Sequence, residues 1–439
     1  MIETLKGRIV FLMAVATAIV SMAATKPARA DGKFYLHNGD RVVFYGDSIT
    51  EQRLYTTYVE SYCVTRFPHE HFTFIHSGWG GDRVTGGGGG PIDTRLQRDV
   101  VAYHPTVVTI DLAMNDGGYQ PFNTGLFRVF VQGYRHIIDV LERDLPGVRI
   151  TLLEASPFDD VTRAPSFAGG YNAVLEAYGD AVAELGREYH LTVVDLNAPL
   201  VGALARALVA DPSESQHIIP DRVHPQAGGH AIMAAALLEG WNAPALVANT
   251  HIDAASARAI SAEGTSIYDV SFQNNKLRFR ESDHCLPWPL DTAAGNPDMA
   301  LAMQCSPFER DLNEYRLQVT GLPQSVGSWQ IVVDGKPAGE VSRQDLERGV
   351  SLTSFPDLPA NQQAAQVLAL TRKHNDIHWQ RWRVVQTPHA VNGVQVDAAT
   401  QAEMDRLDAQ ENDVVVQQRA AALPVGHNVT LQPAPAAAG

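Results

Sequence analysis

From Asp40 to about Leu246 the chain alternates short apolar runs with longer segments of helical spacing, and this alternation limits its fold more than any other feature. The runs are Val42 to Tyr45, Phe72 to His76, Val107 to Leu112, Val148 to Glu154 and Leu191 to Leu196. They have strand length and are rich in β-branched and aromatic residues. Between them, Leu54 to Arg66, Gly125 to Leu145, Tyr171 to Tyr189 and Gln226 to Trp241 have the length and apolar spacing of helices. Strands joined through helices run parallel, and the helices must then cover both faces of the sheet. The expected fold is a three-layer α/β/α sandwich, flavodoxin-like in topology. After Trp241 the pattern changes. Tyr315 to Val319 alternates apolar and polar, and Trp329 to Val333 runs into Asp334-Gly335, a strong hairpin signal. Further on, Ala364, Val367, Leu368 and Thr371 share a helical face. Asp397 suits the cap of a last helix carrying Met404, Leu407, Val414 and Val415. The organisation read from these patterns is an α/β domain over residues 31–250, a β-rich accessory unit over 251–357, a helical segment over 358–422 and a flexible Pro/Ala-rich tail over 423–439.

Residues 1–30 are set apart by composition. Lys6 and Arg8 precede the apolar run Ile9 to Ala24, and Ala28-Arg29-Ala30 fits a small-residue cleavage site, so this segment reads as a secretory signal peptide. The apolar run is short for a transmembrane anchor, and no other segment is long and apolar enough to span a bilayer. Its removal takes away one anion, Glu3, and four cations, Lys6, Arg8, Lys26 and Arg29. The formal charge moves from −15 to −18. A secreted or periplasmic location and an acidic surface argue against nucleic-acid partners and against anionic lipid surfaces. Of the three cysteines, Cys285 and Cys305 share an irregular stretch while Cys63 lies in a helix-like one. In an exported protein this makes Cys285 and Cys305 the expected disulfide.

Chemistry concentrates at the ends of the strand-like runs. The first run stops at Gly46-Asp47-Ser48, which delivers a serine to the carboxyl edge of a parallel sheet, where ligands of such sheets bind. A serine hydroxyl needs a base, an orienter for that base and donors for an oxyanion. Asp221-Arg222-Val223-His224 stands before the last helix-like segment, and three residues of separation let the carboxylate reach one imidazole nitrogen while the other points outward. Taken alone it equally suits an ordinary helix start. Ala113-Met114-Asn115-Asp116 closes the third run. An Asn115 amide there can donate to a developing oxyanion, although Asn-Asp-Gly-Gly is also good turn chemistry. Ser77-Gly78-Trp79-Gly80-Gly81-Asp82 follows the second run and offers a Gly81 backbone N–H, or else is a plain Gly-rich turn.

The order of these elements along the chain resembles the SGNH (GDSL-type) hydrolase superfamily, over roughly half of the sequence. The four blocks of that superfamily are matched by Gly46-Asp47-Ser48, by Gly81 in the second segment, by Asn115-Asp116 and by Asp221-x-x-His224. The resemblance implies Ser48 as nucleophile, His224 as base and Asp221 as its orienter. The Ser48 and Gly81 amides and the Asn115 side chain would form the oxyanion hole. Asp47, Trp79 and Asp116 are further candidates for the pocket. Two positions depart from the family pattern: Ala113 stands where glycine is common, and His76 where asparagine is common. The implied activity is carboxylic ester hydrolysis without cofactor or metal, and export points to O-acetyl or other short acyl groups on a saccharide. A lipase or broad short-chain esterase is one alternative, and a non-catalytic glycan-binding module on the same fold is another.

Other motifs are weaker. Gly86 to Gly90 lacks the spacing of a phosphate-binding loop and reads as a flexible loop. His374 and His378 have i,i+4 metal-ligand spacing but lack the glutamate of the zincin motif, so helix packing is the expectation. Trp329, Trp379 and Trp382 suit either a core or a glycan platform.

Overall fold

Val42, Val43, Phe44 and Tyr45 are all buried, as a strand covered on both faces requires. In a computed structural model that describes residues 32–292, 297–390 and 395–435, this strand, β1 (Arg41–Gly46), lies one strand in from the edge of a five-stranded sheet. The others are β2 (Thr73–Gly78), β3 (Val107–Asp111), β4 (Arg149–Glu154) and β5 (Thr192–Asp195). All neighbours are parallel, in the order β2-β1-β3-β4-β5. That is the doubly wound order, and its crevice opens where the chain reverses direction, between the carboxyl ends of β1 and β3. Ser48 and Asn115 follow those two strands.

Among the described residues, seven helices of the α/β domain accompany this sheet: α1 (Ser48–Glu51), α2 (Leu54–Arg66), α3 (Ile92–Asp99), α4 (Thr124–Asp144), α5 (Gly170–Tyr189), α6 (Asn197–Ala210) and α7 (Ala227–Gly240). In α4, Phe130, Tyr134, Ile137, Ile138 and Leu141 are buried at three- to four-residue intervals, and the Asn123 side chain caps the start by accepting from the Gly125 and Leu126 amides. Sequence patterning missed α3 and α6, for opposite reasons. The buried face of α3 is Arg95, Leu96, Arg98 and Asp99, so charge replaces the apolar stripe. Arg95 is satisfied by Asp82 at 2.6 Å and by Asp99. Helix α6 is apolar on nearly every side and shows little periodicity.

The accessory region holds two sheets. Strands β6 (Leu246–Asp253), β7 (Arg258–Glu263), β8 (Thr265–Gln273) and β9 (Lys276–Asp283) come first, followed by helices α8 (Pro297–Cys305) and α9 (Phe308–Leu312). Then come β10 (Glu314–Thr320), β11 (Ser328–Val333), β12 (Lys336–Ser342), helix α10 (Arg343–Arg348) and β13 (Val350–Ser351). Asp334 and Gly335 turn β11 into β12 with φ of 51° and 81°, the left-handed pair that a tight hairpin requires. The smaller sheet has the order β13-β10-β6-β7, and β6 and β10 are parallel. The larger is antiparallel and contains a strand from the supposed tail, β14 (His427–Pro433), in the order β8-β9-β14-β11-β12. The expectation of a flexible tail over 423–439 is thus corrected for these residues: Val429 and Leu431 alternate inward and are buried beneath the sheet.

A second correction concerns the cysteines. Cys63, Cys285 and Cys305 are all free and buried. Cys285 belongs to the core of the accessory sheets, whereas Cys305 ends α8 and packs into the core of the α/β domain. The expected Cys285–Cys305 disulfide is absent because the two thiols are buried in different cores. The expected signal peptide, residues 1–30, lies outside the described residues. No helix among the described residues is long and apolar enough to cross a membrane.

The last helices, α11 (Pro359–Trp379) and α12 (Ala398–Ala422), pack against the α/β domain through α2. Asp397 caps α12 by accepting the Thr400 amide. At the α2 contact the buried His374 imidazole lies between Glu60, at 3.1 Å, and Glu411, at 2.8 Å. Burial disfavours its charged form, but the two carboxylates outweigh this and push its pKa up to about 10. Glu60, despite its own burial, is held down to about 2 by His374 and His76. The i,i+4 histidine spacing therefore serves an interhelical ion cluster. His76, in the place where asparagine is common, belongs to that cluster, bonding Thr56 at 2.7 Å and Glu60 at 3.2 Å.

Candidate active site

Ser48 opens α1, two residues after Gly46, the last residue of β1. The Asp47 side chain caps this turn by accepting the Ile49 amide at 2.9 Å, which frees Ser48 from capping duty. Its hydroxyl lies 2.8 Å from His224 Nε2, and His224 Nδ1 lies 2.6 Å from Asp221 Oδ2. Asp221 Oδ1 accepts the backbone amides of Val223 and His224 at 3.0 and 2.7 Å, so the carboxylate also shapes the loop that carries the imidazole. Burial opposes ionisation of Asp221, but the His224 backbone and side-chain bonds and the Val223 amide prevail and hold its pKa below the ordinary value. The pair is open to solvent, with side-chain exposures of 34% for His224 and 54% for Asp221.

Residues outside the four sequence blocks brace this loop. Burial keeps His230 neutral, with its pKa brought down to about 3. Its Nδ1 accepts the Tyr55 amide at 3.3 Å, so Nε2 carries the proton and donates to Gln52 Oε1 at 3.1 Å. Gln52 Nε2 in turn donates to the carbonyl of Pro225, next to His224. From the accessory region, Asp298 of α8 accepts the Gly228 amide at 2.6 Å and caps α7, whose own N-cap residue makes no side-chain bond. Gln52 lies four residues after Ser48 and His230 six after His224, and no local pattern marks either of them.

The second block crosses Ser48 closely: a Cβ on Gly80 would stand 3.8 Å from Ser48 Cβ. Gly81 has φ of +78°, which favours glycine, and the space beside its Cα is open. Glu51 of α1 accepts the Gly80 amide at 2.9 Å and pairs with Arg383 at 3.3 Å. Arg383, from the π-helical turn Gln380–Gln386, lies 3.3 Å over the Trp79 ring. Trp79, a pocket candidate, is therefore buried beneath Arg383 and against Trp382. The five-glycine run is packed as well. A Cβ on Gly89 would collide with Arg95 and Trp79, which corrects its reading as a flexible loop.

In the third block, Ala113 has φ of +143°, a conformation easy for glycine and strained for alanine. This explains the departure noted at that position: the backbone keeps the glycine geometry and the methyl bears the strain. Asn115 Nδ2 donates to Asp82 O at 3.0 Å and to Asp47 Oδ2 at 3.3 Å, while its Oδ1 accepts the Tyr119 hydroxyl at 2.9 Å. Asp47 and Asp116, the other pocket candidates, are buried behind this corner with Asp111. Burial raises all three carboxyls. For Asp47 the negative neighbour Asp111 adds to the effect, while Asp111 and Asp116 each reach about 7.

Asp116 keeps one oxygen on the Val84 amide at 3.0 Å, and its other oxygen is buried without a partner. Its folded-state pKa lies above the unfolded one, so the stability it contributes is complete below about pH 4 and is lost as pH rises through about 7. Asp116→Asn retains the acceptor and cannot ionise. Between pH 5 and 8.5 its urea-unfolding free energy should fall less steeply than that of the parent, by up to about 1.4 kcal/mol per pH unit. Identical slopes would show that Asp116 does not titrate there.

Comparison with known proteins places this architecture. Residues 44–232 match the model of the GDSL-like lipase/acylhydrolase family. A gut microbial diltiazem-metabolizing enzyme shares the fold over 92% of this chain and 99% of its own, with a TM-score of 0.81 and 23% identity. An acetylxylan esterase from Geobacillus stearothermophilus aligns over 47% of this chain and 96% of its own (22% identity, TM-score 0.39). A GDSL-like lipase from Parabacteroides merdae aligns over 48% and 98% (18% identity, TM-score 0.41). No curated protein matches the chain. The likeness to the diltiazem-metabolizing enzyme extends across both accessory sheets and the last helices, whereas the family match ends within α7. Residues 44–232 form an SGNH-type domain that matches the GDSL-like lipase/acylhydrolase family, and the chain is a carboxylic ester hydrolase.

Proposed function

We propose that the protein is an exported serine esterase that removes acetyl or another short acyl group from a saccharide, through an acyl-enzyme on Ser48. The observation that carries this reading is the unbroken relay from Asp221 through His224 to Ser48, at 2.6 and 2.8 Å. His224 Nε2 takes the Ser48 proton as Oγ attacks the ester carbonyl, and Asp221 steadies the imidazolium. The oxyanion is met by the Ser48 and Gly81 amides and by Asn115 Nδ2, whose longer bond, to Asp47, gives way to the substrate oxygen. His224 then protonates the leaving alcohol. A water molecule, deprotonated by His224, attacks the acyl-enzyme and releases the acid.

The saccharide is inferred from the open side of the site. His224 delivers its proton at the protein surface, so the leaving alcohol can be large. Tyr119 and Phe122, in the loop after Asn115, expose aromatic surface of the kind on which sugar rings stack. The deciding experiment measures acetate release from a panel of acetylated polysaccharides together with a p-nitrophenyl ester series of increasing acyl length. Acetate release above the Ser48→Ala background and fastest turnover of the two-carbon ester are expected. A preference for long chains would defeat the saccharide reading in favour of a lipase. Glycan retention without turnover at any length would favour a binding module. A second reading, an esterase of small-molecule esters, is favoured by the whole-chain likeness to the diltiazem-metabolizing enzyme. Turnover of small aryl and alkyl acetates with none on polysaccharides would select it.

A further inference from the structure

Asn115 sits at the focus of three elements, and one of its partners lies outside every block that defines the site. The chain leaves β3, turns through Gly117 and Gly118, and brings Tyr119 back over Asn115. Gly118 has φ of +69° and Tyr119 itself φ of +55°, left-handed backbone that a tyrosine adopts only under constraint. The constraint is visible. Tyr171 donates to the carbonyl of Met114 at 2.7 Å and sets its ring 5.0 Å from that of Tyr119, with Phe158 at 6.1 Å. A side chain at Gly117 would collide with the Tyr171 hydroxyl, which stands 2.6 Å from where its Cβ would lie. Although the residue is 42% exposed, Tyr119 aims its hydroxyl inward, to Asn115 Oδ1 at 2.9 Å.

We infer that Tyr119 is a positioning residue for ester hydrolysis, holding and polarising the Asn115 amide through its hydroxyl; this rests on the proposed roles of Ser48 and Asn115. The amide is held at two ends, Nδ2 by Asp82 O and Asp47 Oδ2, and Oδ1 by Tyr119. When a substrate oxygen takes the place of Asp47, Asp82 O and the Tyr119 hydroxyl are the bonds left to fix the amide plane. A hydrogen bond donated to Oδ1 also draws electron density from the amide, which makes its N–H groups stronger donors to a developing oxyanion. The phenol remains a donor across the neutral range, because burial, assisted by the charges of Asp47 and Asp221, pushes its pKa up to about 12.

The test is a double-mutant cycle on p-nitrophenyl acetate, with rates normalised to active sites by the acylation burst so that partial misfolding does not count. Tyr119→Phe keeps the ring and removes the donor. It should lower kcat about tenfold with KM within about twofold of the parent. Asn115→Ala should lower kcat by about 10²–10³. Adding Tyr119→Phe to Asn115→Ala should change kcat by less than about twofold, since the group being positioned is gone. A Tyr119→Phe protein with parental kcat, or losses that multiply in the double variant, would overturn the inference. Hydrolysis that is independent of Ser48 would instead overturn the reading beneath it.

Discussion

Alanine at Ser48 is expected to lower kcat for a short p-nitrophenyl ester by about 10⁴–10⁶, to the level of oxyanion stabilisation and binding alone. The size follows from the loss of the covalent route: His224 and Asp221 remain, but the imidazole has no hydroxyl to deprotonate. The substitution is structurally mild. Helix α1 is capped by Asp47 through the Ile49 amide, and Ser48 takes no part in that bond. Alanine suits a helix start within a few tenths of a kcal/mol, so the melting temperature and circular dichroism should match the parent. Kinetics and unfolding measured on one preparation separate the outcomes. A well-folded Ser48→Ala protein with near-parental turnover would rule out the serine as nucleophile.

Leucine at His374 should be among the most destabilising single changes outside the active site, costing about 3–5 kcal/mol by denaturant unfolding at pH 6. The histidine is the cation between the buried Glu60 and the half-buried Glu411, and its removal leaves like charges facing each other at the contact between α2, α11 and α12. The pH dependence carries the same signature. Glu60 has its pKa lowered to about 2, so its contribution is complete above about pH 4.5 and is lost as pH falls toward 2. His374 has its pKa raised to about 10, so its contribution is complete below about 6.5 and is lost as pH rises toward 10. Parent stability should therefore show a plateau between about pH 4.5 and 6.5 that is flattened in His374→Leu. A loss under about 1 kcal/mol would mean that the cluster is neutral.

The α/β domain was legible because its signals are local: four-residue buried runs at β1 and β3, helical stripes in α4, and a polar residue at each strand end. The same locality exposed Ser48, Asn115 and Asp221-x-x-His224, each adjacent to the element that presents it. What escaped was non-local or masked by charge. Helix α3 buries Arg95 and Asp99 where a pattern reader expects leucines. Tyr119 matters through a backbone bend, and nothing in its neighbours' spacing announces that its hydroxyl returns to Asn115. The cysteines misled because export suggested a bond while their cores were unknown, and the Pro/Ala-rich end concealed the alternation of Val429 and Leu431. Trp79 stands in the second block, but its partner Arg383 lies three hundred residues on and could not be read from the local sequence.

The position of β14 bears on how the molecule is made. The strand lies between β9 and β11, so both of them wait for a segment synthesised long after they have left the ribosome. Until that segment arrives, each presents an unpaired ladder of amides and carbonyls, with Phe279 and Ile331 on the face that will later be covered. The SGNH-type domain has no such wait, since its parallel strands are complete by Asp195. A nascent chain would therefore hold a formed catalytic sheet beside an open, adhesive one, and a chain truncated before His427 should join its neighbours edge to edge before it loses its active-site geometry.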